Sequence, residues 1–581
     1  MNVREIPENQ KLLILSLVVG ILCGLAAVLL NTLIRVIHQA LTSWLGGGIE
    51  YALLFVYPGV GMLLAMLFTR YVIRDNIGHG VTKALVAVSQ NESRIKPHNM
   101  WSSILASAVT IGFGGSVGAE APIVYTGAAI GSNVARKMHM SYRSMTILLG
   151  CGAGAAIAGI FKAPLAGVLF TLEILLFNIS MTSMMPLLLS TVSATVVAYI
   201  FMGNSTPFSC VINAFSLRNI PFYILLGVFC GFMSLYFIRT TIKLEDSIGR
   251  MKNPFVKWAL CAVCVGLLIF LFPPLFGEGY DAVGVLLGGG AVNYDSQTFL
   301  SGMLHVRWMV PLFFLLVMFF KVFSMTFTNA GGGVGGTFGP TLFVGAIGGF
   351  VVARTINLIF AGSSLTVPEQ NFVLVGMAGL MAGVMQAPMT AIFLIAEMTG
   401  GYELFIPLII TATISFGTIR IFEKYSIYSK RIAHSALLTH DNDKAVLTLL
   451  KVNDLIEMDF SPVPIDAPLR SFVEVISHAR RNIFPVVDSR GRFHGYVSLE
   501  DVRRDMFEPS LYDSRHVYNY MHSSPAYVYL DEQMDSVMDK FEKTGAWNLP
   551  VVDKDRKYIG FVSKSQIFSA YRDELRELSQ D

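Results

Sequence analysis

The sequence predicts an all-α polytopic membrane domain of two related halves with broken helices, followed by a small soluble α/β tail. Three observations lead there. The first is an uneven division of charge: residues 441–581 carry 42 of the 83 charged residues, about 30% of that stretch, whereas residues 1–440 carry 41, about 9%. Soluble chains sit near one quarter charged, so the first part is membrane-class and the second is not. The second is the recurrence of apolar runs through the first part; the third is an internal repeat in each part. The expected domains are therefore 1–440 and 441–581. A net charge of +3 gives no reason to expect nucleic acid as a partner.

Taken in order, "MNVREIPENQKLLILSLVVGILCGLAAVLLNTLI" opens the chain. Its polar lead holds acids as well as bases, and its apolar run exceeds a signal peptide's h-region with no obvious cleavage site. It reads as a retained first membrane helix. Apolar stretches follow near 50–72, 98–117, 122–136, 144–178, 184–202, 220–238, 254–275, 308–328, 338–360, 371–398 and 404–422. Several fall short of the roughly 20 residues that span about 30 Å of hydrocarbon. Several are interrupted by Gly clusters or by Ala-Pro and Gly-Pro pairs, and such breaks at membrane depth mark transport sites. The six cysteines lie mostly in apolar runs, and the pair in "ALCAVCVGLL" lacks the polar or basic context of a reactive thiolate.

The membrane part repeats itself. "AGIFKAPLAGVLFTLE" (158–173) aligns with "AGVMQAPMTAIFLIAE" (382–397) at an offset of 224, bringing Pro164 onto Pro388 and Glu173 onto Glu397. Upstream, "GGSVGAEAP" (114–122) echoes "GGGVGGTFGP" (331–340). Duplicated halves with matching breaks indicate a transporter or channel with its site at their interface; an intramembrane enzyme would not need them. No nucleophile elbow, paired ligand set or metal site is evident, so neither enzyme activity nor a required cofactor is expected.

In "GAEAP" and "GGTFGP" glycines lead into a Pro and then an apolar run, the pattern of a loop feeding a helix N-terminus. Such a tip carries unpaired N–H groups and about half a positive charge, and several converging tips bind an anion without a full countercharge. Glu120 falls in the first turn of one such helix, with no Lys or Arg nearby in the chain. A carboxylate there can itself fill an anion site, which makes Glu120 a tethered competitor for the ion. Intramembrane acids are costly and usually functional.

With these motifs together, the sequence resembles the CLC family of chloride channels and chloride/proton exchangers over essentially its whole length. The family's "GSGIP" loop matches "GHGVT" at Gly78–Thr82, its "GREGP" matches "GAEAP", and its "GGIFxP" matches "GGTFGP". The resemblance implies a gate at Glu120 and anion binding at Gly78, His79, Gly80, Gly336, Thr337, Phe338 and Tyr428, the last in "YSIYSKRIAH". It also implies a homodimer with one pore per subunit, in a bacterial inner membrane.

The departures carry information. His79 stands where most relatives have a chloride-coordinating serine. Either its imidazole donates to the anion or the ring turns aside and a backbone N–H serves; chloride is the expected ion, with other halides and nitrate left open. Many exchangers of the family have a second acid after the one matched by Glu173; here that position is Ile174. Isoleucine carries no proton, so the sequence leans to passive conduction, with proton-coupled exchange as the alternative. In that alternative Glu120 and Glu173 are the proton-pathway candidates, although Glu173 reads more readily as a helix-packing acid. From other classes, a transporter of a non-halide solute and a signalling transceptor remain alternatives.

In the tail, "NIFPVVDSRGRFHGYVSLEDV" (482–502) aligns with "WNLPVVDKDRKYIGFVSKSQI" (547–567) at an offset of 65. Each copy reads as strand, turn, strand and helical start. This resembles a tandem CBS pair, about 457–508 and about 517–575, expected to be cytoplasmic and regulatory. Ser498 and Asp501 have the spacing with which such modules hold the ribose of an adenine nucleotide, whereas Ser563 is followed by Gln566 at that position. A structural module is the first reading of the pair and nucleotide binding the alternative.

Overall fold

In a bilayer every backbone N–H and C=O must find a partner within its own segment, which leaves the helix as the form open to these apolar runs. The structure is a computed structural model and describes residues 7–43, 50–75, 77–90, 93–175, 181–203, 208, 212–288, 306–362, 365–433 and 452–570. The chain divides into two compact units, 1–438 and 439–581. The expected boundary at 440/441, residues 571–575 of the second expected CBS repeat, and Cys210 lie outside the described residues.

The first unit is helical. It contains α1 (Glu8–Ser43), α2 (Glu50–Leu67, extended by a π-helical turn Phe68–Ile73), α3 (Gly80–Gln90), α4 (Ser102–Gly112), α5 (Glu120–Lys137) and α6 (Tyr142–Phe161). There follow α7 (Pro164–Ile174), α8 (Met181–Met202), α9 (Ile220–Gly249), α10 (Pro254–Leu271), α11 (Tyr280–Leu287) and α12 (Met309–Ala330). The unit closes with α13 (Phe338–Ile359), α14 (Glu369–Met385), α15 (Pro388–Met398), α16 (Phe405–Phe422) and α17 (Ile427–Ala433). Among the described residues nine helical segments are long and apolar enough to cross a membrane, while α3, α4, α7, α14 and α15 are shorter apolar helices. The expected first membrane helix corresponds to the 36-residue α1.

The duplication is visible in matching details. Among the described residues, the expected runs 144–178 and 371–398 each break once. The break falls at Lys162 and at Gln386, both left-handed (φ 56° and 53°), followed by a non-helical Ala and a Pro that starts the next helix. Both left-handed residues then cap a neighbouring helix end. Lys162 Nζ donates to the Gly203 carbonyl just past α8 (2.8 Å), and Gln386 Nε2 to the Glu423 carbonyl just past α16 (3.0 Å).

The acids of the repeat act reciprocally. Glu173, in the last turn of α7, accepts the Met389 and Thr390 N–H groups (3.0 and 2.7 Å) at the start of α15. Glu397, in the last turn of α15, accepts the Leu165 and Ala166 N–H groups (3.1 and 2.9 Å) at the start of α7. Each carboxylate thus answers the partial positive charge of the other helix's N-terminus. Two equivalent helices that exchange ends in this way run antiparallel, so the halves are inverted relative to one another. Close packing follows the same symmetry: Gly127 of α5 faces Gly152 of α6, Gly345 of α13 faces Gly376 of α14, and a Cβ at any of the four would strike the opposing backbone.

The second unit holds two three-stranded sheets. In the first, β1 (Val463–Pro464) runs parallel to β2 (Ile483–Val487), which pairs antiparallel with β3 (Phe493–Ser498). In the second, β4 (Val528–Tyr529), β5 (Asn548–Val552) and β6 (Tyr558–Ser563) repeat that order and those directions. Each repeat places a helix between its first two strands, Leu469–His478 and Met534–Thr544. The repeats join through Phe493 N–H to the Arg556 carbonyl (2.9 Å) and Tyr558 N–H to the Gly491 carbonyl (3.0 Å). Buried Phe460, Phe493, Val552 and Phe561 pack across the join.

Candidate functional site

Three broken-helix tips meet in the first unit. The loops before α5 and α13 are tied to each other by an antiparallel bridge: Gly118 N–H donates to the Gly336 carbonyl (3.1 Å) and Gly336 N–H to that of Gly118 (2.7 Å). Behind the bridge, Thr328 Oγ1 accepts the Ser116 N–H (3.3 Å) and Thr110 Oγ1 accepts the Val334 N–H (3.0 Å), again a reciprocal pair. The third tip comes against α5, because a Cβ on Gly80 at the start of α3 would overlap the Ala121 carbonyl. Tyr428 of α17 is buried, with its hydroxyl 3.5 Å from Thr337 Oγ1 at the α13 tip. Phe338 is buried too, its ring stacked on Phe161 with centroids 5.6 Å apart.

Glu120 sits at this junction and is 1% exposed. Its Oε1 accepts the Tyr280 hydroxyl at 2.6 Å and its Oε2 accepts the Gly339 N–H at 3.1 Å. The side chain folds back over Gly118, where a Cβ would fall on Oε2. The carboxylate therefore takes an amide from the first turn of α13, the other half's tip. A residue of one half thus bonds the helix N-terminus of the other.

His79 adopts a left-handed backbone (φ 52°), and its ring is turned toward α9, with Nε2 3.7 Å from Glu245 Oε1. Glu245 also takes two hydrogen bonds from Arg431 (2.5 and 3.1 Å). Glu173 has both carboxylate oxygens engaged on the start of α15, and Ile174 beside it is buried.

The match that decides the family spans most of the first unit: the pattern described as voltage gated chloride channel covers residues 60–420. The chain belongs to the CLC family. The CBS-domain pattern matches residues 452–508 and 517–573. Chloride channel protein CLC-e of Arabidopsis thaliana is 28% identical over 435 residues, 69% of this chain and 59% of that protein. The chain thus spans little more than half the length of that relative. The H(+)/Cl(-) exchange transporter ClcA of Vibrio cholerae serotype O1 is 26% identical over 421 residues, 69% of this chain and 84% of that protein. Among solved structures, a slow cyanobacterial Cl-/H+ antiporter is similar with a TM-score of 0.62 at 23% identity, over 74% of this chain and 98% of that one. A eukaryotic CLC transporter is similar with a TM-score of 0.62 at 17% identity, over 96% of this chain and 98% of that one.

Around Glu120 the sequence reading missed three residues. Tyr280 and Glu278 belong to "FGEGYDA", just beyond an apolar run; Tyr280 bonds Glu120, and Glu278 Oε1 accepts the Ala119 N–H at 2.9 Å. Lys321 lies in α12, fully buried, its Nζ bound to the Gly277 and Leu275 carbonyls (2.8 and 3.4 Å) and 4.9 Å from the Phe343 ring centroid. It is within electrostatic reach of Glu278 and Glu120. The sequence reading expected the helix tips to act without a fixed cation and did not foresee this buried lysine. A lone lysine in a 22-residue apolar helix was the overlooked signal.

In the CBS unit Ser498 and Asp501 form a capping box at the start of the helical turn Leu499–Val502. Asp501 Oδ1 also lies 2.9 Å from His522 Nε2. Burial works against its charge, but the bonds from His522 and Ser498 outweigh that and hold the carboxyl below its usual range.

Proposed function

We propose that the chain carries chloride across a membrane through a site formed by the tips of α3, α5 and α13 and by Tyr428, with Glu120 competing for the ion's place. The supporting observation is that the Glu120 carboxylate accepts the Gly339 amide of the opposite half. An anion that takes that amide displaces the carboxylate, and protonation weakens the carboxylate's hold on it. Partial charges at helix tips let an ion bind and leave. With the His79 ring directed at Glu245, the contribution of 78–80 to the ion is its backbone amides. Passive conduction is favoured by the engagement of Glu173 on α15 and by apolar Ile174. Proton-coupled exchange is the second reading, favoured by relatives such as ClcA that carry that name.

The same reading includes a homodimer in a bacterial inner membrane, with the CBS pair in the cytoplasm serving mainly as a structural and regulatory module. An adenine nucleotide at Ser498 and Asp501 would have to displace His522 from the carboxylate. The test is chloride efflux and proton movement in reconstituted vesicles. Glu120→Gln is expected to keep chloride flux and lose its pH dependence; wild-type pH dependence in that variant refutes the gate. Proton movement driven by a chloride gradient selects exchange, and its absence selects conduction.

A further inference from the structure

The lead-in to α11 is fastened at the gate by three kinds of group. Gly277 N–H donates to the Gly114 carbonyl (3.0 Å), Ser116 Oγ to that of Leu275 (2.7 Å), and Lys321 Nζ to that of Gly277 (2.8 Å). The segment so held presents two side chains to the α5 tip. Tyr280 takes the Glu120 carboxylate, while Glu278 takes the amide of Ala119, the residue before it. One loop therefore engages two adjacent residues at the start of α5, the amide of Ala119 and the carboxylate of Glu120.

Lys321 is the cation they share. It forms no ion pair within 4.0 Å among the described residues, its hydrogen bonds go to backbone carbonyls, and the acids feel it through space. The groups facing Glu278 are Glu120 from α5, Lys321 from α12, Asp281 from its own segment, and Tyr280, bonded to Glu120. With Glu120, Glu278 and Lys321 all ionised, the trio carries one net negative charge, two of its members, Glu120 and Lys321, being buried. Like charges so placed are relieved by a single proton, which then belongs to the pair and not to either acid.

We propose that Glu278 is a second proton-binding carboxylate of the gate, sharing one proton with Glu120 across the tip of α5. The inference rests on the reading of Glu120 as the gate. Neutralising Glu120 frees the Gly339 amide for the anion, and Glu278 is the neighbouring store from which that proton is drawn or to which it returns. The position differs from that of Ile174, where the sequence lacks an acid: Glu278 lies on the loop side of α5, and Ile174 ends α7.

The experiment is chloride efflux from vesicles holding the full chain, measured against pH for wild type, Glu278→Gln, Lys321→Met and Glu120→Gln. Without the charge of Glu278, Glu120 stays ionised to lower pH, so the half-activation pH of Glu278→Gln is expected to fall by about one unit. Lys321→Met removes the cation and is expected to raise it. Opposite shifts are what shared protonation produces and a loosened fold does not. An unmoved midpoint in Glu278→Gln, or shifts of one sign in both variants, overturns the proposal. Glu278→Asp, which draws the acid back by one methylene, provides a smaller fall should the Gln variant not yield folded protein; no fall there overturns the proposal equally. Glu120→Gln separates the two readings. If it retains wild-type pH dependence the gate itself fails, whereas an unmoved Glu278→Gln beside a pH-independent Glu120→Gln sinks only the shared proton.

Discussion

Replacing Tyr280 by Phe removes one atom from the seat of Glu120 and leaves the ring in place against Phe208, whose centroid is 5.7 Å away. The lost bond is a 2.6 Å O–H donation to a carboxylate that is 1% exposed. Hydrogen bonds to charged groups contribute about 1.5–3 kcal/mol, and about 2 kcal/mol corresponds to roughly 30-fold in an equilibrium constant. If the seated carboxylate and chloride compete for the same amides, weakening the seat by that factor tightens apparent chloride binding by up to the same factor. Titration calorimetry of chloride into the purified full chain at neutral pH reads this directly. Glu120→Gln sets the ceiling, since it removes the charged competitor, and adding Tyr280→Phe to it is expected to bring little further gain. Unchanged or weaker chloride binding in Tyr280→Phe, or an equal gain in the Glu120→Gln background, would refute the competition.

Gly118→Ala reaches the same end by steric means. Its methyl group falls on Glu120 Oε2 and within 2.9 Å of the Gly339 nitrogen, so the carboxylate is expelled and efflux is expected to lose most of its pH dependence; full wild-type dependence argues against the seat described above. In the CBS unit, the Asp501 carboxyl is held below its usual range, so its stabilisation is complete above the unfolded value of about 4 and is lost as pH falls through the folded one. Asp501→Asn is expected to cost about 1 kcal/mol at neutral pH as a weakened cap, and the difference from wild type to shrink below about pH 4. Hydrogen exchange of residues 452–570 in the full chain measures both, and a difference that grows on acidification contradicts the assignment.

Much of this was legible in the residues. Local chemistry set the breaks: Pro164 and Pro388 must start helices, and the runs containing them divide there. The offset of 65 in the tail reappears as two sheets with the same strand order and directions, because each copy carries its own strands and turn. Glu120 could be suspected from its surroundings alone, since an acid in an apolar stretch needs a reason. Its partners were not legible. Tyr280 lies 160 positions away and Gly339 lies 219 away; neither periodicity nor spacing encodes such separations.

What the sequence determined by itself, then, was which segments are helices, where they break, that the membrane part is doubled, and which acid is out of place. These follow from backbone and side-chain preferences acting within a few residues. The tertiary structure alone decided that the halves are inverted, that Glu173 and Glu397 cap each other's helices, that the His79 ring turns to Glu245, and that Lys321 and Glu278 stand near Glu120. Each of these depends on charges and unpaired amides from distant segments being brought together, where only the packing of the whole unit determines which partner each one finds.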